Sequence, residues 1–284
     1  MRRFCFIVCM ICGIAMRGVT LDMVEFHNEA TDTAKITDIL VKSVNIENSG
    51  ERIGSIGRGF IGTPYVAHTL EGETEMLRIN VDELDCTTFV ETVIALAYTA
   101  GEKRTSWRDF IYNLERFRYR DGKLNGYASR LHYISDWIIN NSYRGNIVEV
   151  TNRLPSHRYL IKTIDYMSAH RDSYPALADS ATFEKIKGVE MGYRNHRYPY
   201  VKSQFLSSKE MKSALKEGDV VALTCGLKDL DVSHMGIIVI EKGEPYLLHA
   251  SSSHGKVEIT NVPLSEFMKK NRSLTGIRVI RLAD

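Results

Sequence analysis

The sequence predicts an α+β protein. Amphipathic helical stripes occupy the first part of the chain, and five short, β-branched-rich runs separated by turn residues fill the last part. A hydrophobic content of 44% and a charged content of 25% are those of an ordinary globular chain, and 284 residues suffice for one large core.

The first segment stands apart. "MRRFCFIVCMICGIAMRGVT" places two arginines before an apolar run from Phe4 to Met16 and a polar boundary, the order of a secretory leader and short for a membrane span. Val8 and Ile11 precede Cys9 and Cys12, where lipoprotein processing wants a small residue. The expectation is a leader over 1–21 and a single catalytic domain over 22–284, exported to the periplasm or beyond, with no membrane attachment once the leader is removed. Its removal takes Arg2, Arg3 and Arg17, leaving 34 basic against 35 acidic residues. That balance gives no electrostatic reason to expect a nucleic acid or anionic lipid partner. Cys5, Cys9 and Cys12 leave too, so Cys86 and Cys225 remain, too few for a disulfide framework but enough to pair with each other.

Along the rest of the chain, Ile36, Ile39, Leu40 and Val44 form a helical stripe over 33–44, with Thr33 as its cap. Ile53, Ile56 and Phe60 form a second stripe that runs into the turn "GTPY" at 62–65. Phe89, Val90, Val93, Ile94 and Ala97 give the segment after Cys86 one core-facing side. Ser106 caps a helix carrying Phe110, Leu114 and Phe117. "ISDWIINN" is a further short helix and "GNIVEV" a strand, inside a helical or irregular insertion over about 105–215. The strands are "DVVALTC", "HMGIIVI", "PYLLHAS", "KVEIT" and "GIRVIRL", with "EKGE" closing a hairpin between the second and third.

Chemistry concentrates at Cys86. A thiol in the first turn of a helix faces unpaired backbone N–H groups and the positive end of the helix dipole, which favour the thiolate. Asp85 occupies the N-cap position and opposes that ionisation, so a histidine is needed to take the thiol proton. His234 and His249 lie on the two strands of the predicted hairpin. A turn centred near Gly243 places His249 opposite roughly Ile237, a diagonal step or two from His234, with the register left open. One imidazole serving as base and a second polar group holding its tautomer is what acyl transfer requires. Arg130, in "YASRLHY" with Ser129 and His132, has the fork geometry to grip a substrate carboxylate, or a local acid such as Asp136. Cys86, His234, His249 and His254 together also offer a donor set for zinc.

"GTPYVAHTLEG", "DCTTFV", "SHMGIIVI" and "LLHASSSHGKV", in this order, resemble the NlpC-type bacterial cell-wall hydrolases, which are papain-like cysteine peptidases and amidases. "DELDCTTFVETVIALA", "YRDGKLNGYASRLHYISDWI" and "DVSHMGI" resemble more closely the branch of N-acetylmuramoyl-L-alanine amidase-like proteins first catalogued as domain of unknown function 1460, over about Arg52 to Arg281. The resemblance implies a papain-like core with Cys86 as nucleophile, His234 as base, His249 as orienting group and Tyr65 at the oxyanion or substrate backbone. It implies cleavage of the amide between the lactyl group of muramic or anhydromuramic acid and L-alanine in peptidoglycan fragments, without metal or organic cofactor. Asp85, Thr87, Ser129, Arg130 and His132 are the candidate substrate contacts. Thr87 and Thr88 stand where the stem-peptide endopeptidases of the wider family have Ser-Gly. The alternatives are a γ-D-glutamyl-diamino acid endopeptidase and a module that binds muropeptides without cutting them.

Overall fold

The computed structural model describes residues 19–283, so almost all of the expected leader lies outside the described residues. In chain order the regular elements are β1 (Val24–Phe26), α1 (Glu29–Ser43), α2 (Ser49–Arg58), β2 (Leu77–Ile79), α3 (Cys86–Gly101), α4 (Trp107–Arg118) and α5 (Ile134–Tyr143). Then come β3 (Ile147–Glu149), β4 (His157–Lys162), α6 (Tyr166–Ala169), α7 (Ser180–Met191), β5 (His196–Lys202) and α8 (Lys209–Ala214). The final stretch is β6 (Val220–Cys225), β7 (Val232–Glu241), β8 (Glu244–Ser251), β9 (Lys256–Ile259), α9 (Leu264–Lys270) and β10 (Leu274–Leu282). Helices first and an antiparallel sheet afterwards is the predicted α+β order. Among the described residues no helix is long and apolar enough to cross a membrane.

The main sheet runs β4-β5-β10-β6-β7-β8-β9, with β3 paired to β10, and every pairing in it is antiparallel. Alternation along its central strands separates two cores. Met235, Ile237 and Val239 on β7, with Leu248 and Ala250 on β8, face the helices and pack with Phe89, Val93, Phe110, Phe117 and Trp137. Ile238 and Leu247 face the other way, against Leu264 and Met268 of α9 and Met211 of α8. The helix α3 carries apolar residues around most of its circumference, as a helix enclosed by its neighbours must. Complete burial of Phe89 and Val93 contributes on the order of 1.5–3 kcal/mol per side chain. The one acid on the enclosed part of α3, Glu91, is neutralised by Arg118 of α4 at 2.6 Å.

Two expectations need correction. The first helix starts at Glu29 with Asn28 as its cap, because the Asn28 side chain accepts from the Thr31 amide; Thr33 lies one turn inside, bonded back to the Glu29 carbonyl. The segment 105–215 is not merely helical or irregular: β3, β4 and β5 extend the main sheet through β10. The polar, tyrosine-rich sequence of β4 and β5 hid them, since that end of the sheet is half solvated and lacks an apolar run. A third core beside this extension gathers Tyr133, Ile164, Met167, Leu177, Ile186 and Tyr193.

Candidate active site

Cys86 opens α3. Asp85 caps that helix with one oxygen, Oδ1, which accepts from the Thr87 and Thr88 amides at 2.9 and 2.7 Å and from the Thr88 hydroxyl at 2.9 Å. The Asp85 amide in turn donates to Thr88 Oγ1, completing a reciprocal capping box. Asp85 is thereby committed to placing the cysteine. The thiol sits against β7, where the Met235 backbone amide donates towards it. Burial, and then the Asp85 carboxylate, push the thiol up to about 11, so the helix terminus does not hold a free-standing thiolate as its position alone suggests. Both Cys86 and Cys225 are free thiols; Cys225 is buried at the end of β6 and donates to the Leu230 carbonyl at 3.3 Å.

Two local features of the β-strands bring the histidines together. The β7–β8 hairpin turns on Lys242 and Gly243, both with positive φ, as a tight two-residue turn demands. Its register pairs Ile237 with Leu248, which sets His249 across from Gly236 rather than Ile237. That single step matters, because side chains alternate: opposite Ile237, His249 would leave the face that His234 shares with Gly236. The second feature is an irregularity in the β6–β7 pairing, where Leu223 meets His234 and Thr224 meets Val232, leaving Ser233 as an extra residue. The bulge resets the alternation so that Val232 joins the helix-side core while His234 lines the cleft with Cys86.

The result is a histidine pair beside the thiol. His234 Nε2 and His249 Nδ1 are 2.8 Å apart with rings at 87°. Burial lowers His234 to about 4; burial and then the neighbouring His234 lower His249 to about 3, so both rings are neutral at pH 7. Cys86, Thr87, His132 and His234 line one cleft of about 260 Å³. The inserted segment supplies much of its wall through Tyr133, Tyr166, Met167 and Tyr174. Sequence reasoning missed Tyr166 and Tyr174, which lie beyond the aromatic-rich stretch of 107–143 and carry no motif. No lining residue of the cleft is a lysine, arginine or carboxylate.

The remaining candidates divide. Tyr65 lies near the thiol, since its phenol is raised by burial and then by the charges of Cys86 and Asp85. Its loop is stitched to the start of β9 through the Tyr65 amide and the Gly255 carbonyl at 2.9 Å. His132 reaches the cleft, its ring tilted at 38° against Tyr127 with centroids 4.4 Å apart and Nε2 donating to the Tyr127 carbonyl; burial, then Arg130, lowers it to about 3. Arg130 does not line the cleft. It is 6% exposed and already paired with Glu71 at 2.8 Å and Glu75 at 3.3 Å, while Asp136 is taken by Arg120. Ser129 faces away into a different, open groove of about 660 Å³ with Lys185 and His196. That groove is larger than the cleft but holds no nucleophile–base pair. His254 is exposed and bonded to Glu258, and no metal-ligating group of three or more side chains occurs among the described residues.

The family model for AmiA-like, N-acetylmuramoyl-L-alanine amidase-like proteins matches residues 55–277. The chain belongs to the AmiA-like family. An N-acetylmuramoyl-L-alanine amidase from Bacteroides uniformis ATCC 8492 is 40% identical and superposes with a TM-score of 0.78, over 83% of this chain and 99% of that one. A Bacteroides fragilis protein provisionally named a xylanase is 43% identical, with a TM-score of 0.74 over 80% of this chain and 99% of that one. A Legionella pneumophila protein of the DUF1460 family model shares the fold at a TM-score of 0.70 and 23% identity, over 90% of this chain and 96% of that one. A comparison with curated proteins finds no match. The AmiA-like assignment agrees with the branch that the sequence motifs indicate.

Proposed function

We propose that this AmiA-like chain is a cysteine-dependent N-acetylmuramoyl-L-alanine amidase on a papain-like, NlpC-type core. The observation that carries the reading is a half-buried cysteine at a helix N-terminus, in one cleft with a histidine whose Nε2 is tied to a second histidine at 2.8 Å. With His234 Nε2 engaged by His249, Nδ1 is the atom left to serve as base. The Cys86 proton passes to His234 Nδ1 as sulfur bonds to the lactyl carbonyl carbon. The Cys86 backbone N–H and the Tyr65 hydroxyl hold the developing oxyanion. Collapse of the tetrahedral adduct breaks the C–N bond, and His234 returns the proton to the departing L-alanine nitrogen. Water, deprotonated by the same imidazole, then hydrolyses the thioester and regenerates the thiol.

The neutral cleft favours the sugar side of the substrate. Tyr166 and Tyr174, half-buried in the wall, bring aromatic surface to a saccharide, while a stem peptide's carboxylates find no cation in the lining. The substrate is thus a small muropeptide, met outside the cytoplasm after removal of the leader. Mass spectrometry of products from muramyl-L-alanine, its anhydro form, muramyl dipeptide and a stem tripeptide tests this, with Cys86→Ala beside it. Free alanine from the first two, absent with Cys86→Ala, is the expected result. Cleavage of the tripeptide alone would make the protein a γ-D-glutamyl endopeptidase instead.

A further inference from the structure

His249 has one atom that the reaction above does not use. The residue is 4% exposed, its Nδ1 meets His234, and its Nε2 is buried without a hydrogen-bond partner. Proton bookkeeping fixes what that atom must be. For His234 to receive the thiol proton at Nδ1, its own proton must sit on Nε2 and be donated to His249 Nδ1. His249 then carries its proton on Nε2. In the opposite arrangement His249 donates from Nδ1, His234 holds its proton on the nitrogen facing the thiol, and it cannot act as base.

What selects between these states lies across the strand pair. His249 and Glu258 are direct partners in the β8–β9 register, and Glu258 Oε1 is 4.0 Å from His249 Nε2. That separation is a charge contact rather than a hydrogen bond. The same oxygen accepts from His254 Nδ1 on the turn joining the two strands, a turn pinned by the Ser251 hydroxyl accepting from the His254 amide. A carboxylate facing Nε2 attracts an N–H there and repels a lone pair.

We propose that Glu258 is a positioning residue of the active site. Its carboxylate holds His249 as the Nε2–H tautomer and, through the 2.8 Å bond, holds His234 with its Nδ1 lone pair towards Cys86. It also stabilises the positive charge that His234 gains when it takes the thiol proton. The inference rests on the cysteine reading for its consequence in catalysis, but not for the tautomer itself.

The test is long-range ¹H–¹⁵N correlation of the imidazoles in ¹⁵N-labelled full-length protein, with muramyl-L-alanine kinetics, for wild type, Glu258→Gln and Glu258→Ala. Wild type is expected to show both His234 and His249 as Nε2–H. In Glu258→Ala the His249 signals move towards the other tautomer and kcat falls about tenfold or more at little-changed KM, a part of the roughly 10²–10⁴ that general-base assistance supplies. Glu258→Gln, whose amide oxygen still accepts, keeps the tautomer and recovers part of the rate. An unchanged tautomer and kcat in Glu258→Ala overturns the proposal; if that variant fails to fold, a Glu258→Gln with wild-type kcat overturns it. Hydrolysis surviving in Cys86→Ala would defeat the cysteine reading alone, because the tautomer measurement needs no substrate.

Discussion

Gly236 separates the two histidines of the pair along the hairpin, and replacing it with alanine probes that geometry directly. A methyl group built there would stand 2.6 Å from Leu247 Cδ1, 2.8 Å from the Leu248 carbonyl oxygen and 3.1 Å from His249 Cβ. The leucine methyl can rotate aside, but the carbonyl belongs to the β7–β8 ladder and yields only if strand β8 moves by a few tenths of an ångström. Overpacking of this kind costs typically about 1–3 kcal/mol. For a chain of this size that corresponds to a Tm lowered by roughly 2–4 °C per kcal/mol. The shift bears on His249, so the 2.8 Å bond to His234 lengthens and the base loses its anchor. Differential scanning calorimetry and steady-state kinetics on muramyl-L-alanine measure both consequences, with Ile238→Val as the control. Ile238 is buried two residues further along β7, on the same face and against α9, so its loss of a methylene costs about 0.5–1.5 kcal/mol but pushes no group against the β8 backbone, and kcat is expected to hold. Gly236→Ala is expected to lower kcat about tenfold, as weakened base catalysis implies. A Gly236→Ala protein with wild-type Tm and kcat would refute the reasoning, since it would mean that β8 accommodates the methyl without disturbing His249.

Three further outcomes follow from the same geometry. His234 and His249 ionise near 4 and 3 in the folded protein against 6.5 when unconstrained, so between these values the unfolded chain binds protons that the folded chain does not. Their contribution to stability is complete above pH 6.5 and is lost as pH falls towards 4, by an amount on the order of 3 kcal/mol for His234 at 1.36 kcal/mol per pKa unit; equal urea midpoints at pH 7.5 and 4.5 would count against it. Arg130→Ala leaves Glu75 buried without its cation and is expected to cost about 3–5 kcal/mol of stability; a raised KM at unchanged Tm would instead restore Arg130 as a substrate contact. Cys225→Ser keeps a donor for the Leu230 carbonyl, so stability within about 1 kcal/mol and full activity are expected, with iodoacetamide then labelling Cys86 alone in a chain that lacks residues 1–21; loss of activity would give Cys225 a role that its burial does not suggest.

Much of this was legible because short-range physics carries it. The Asp85 cap and the apolar run after Cys86 announce a helix start, and "EKGE" announces the hairpin, since turn and cap chemistry depend on neighbours in sequence. Placement of the two histidines on one face was not legible to the same degree. It depends on a one-residue difference in register and on the Ser233 bulge, which only the pairing of β7 with β6 and β8 determines. The ion pairs of Arg130 were not legible because its partners, Glu71 and Glu75, come from a distant loop and the fold alone brings them together. The strands β4 and β5 were invisible for the converse reason: their ladder bonds hold them, not a hydrophobic pattern. Glu258 gave no signal of its own; its relation to His249 exists only across the strand pair.

The last strand has a consequence for how the molecule is made. β10 lies in the middle of the sheet, bonded to β6 along one side and to β5 and then β3 along the other. Everything N-terminal to it, including the thiol helix and the histidine hairpin, can be synthesised while the two halves of the sheet still have nothing to join them. Assembly must await the final residues, so a chain caught part-way in synthesis or transit presents two raw sheet edges rather than a nearly finished enzyme. Cutting the chain just before Leu274 would leave every residue of the proposed site present in sequence and remove the seam on which their arrangement depends.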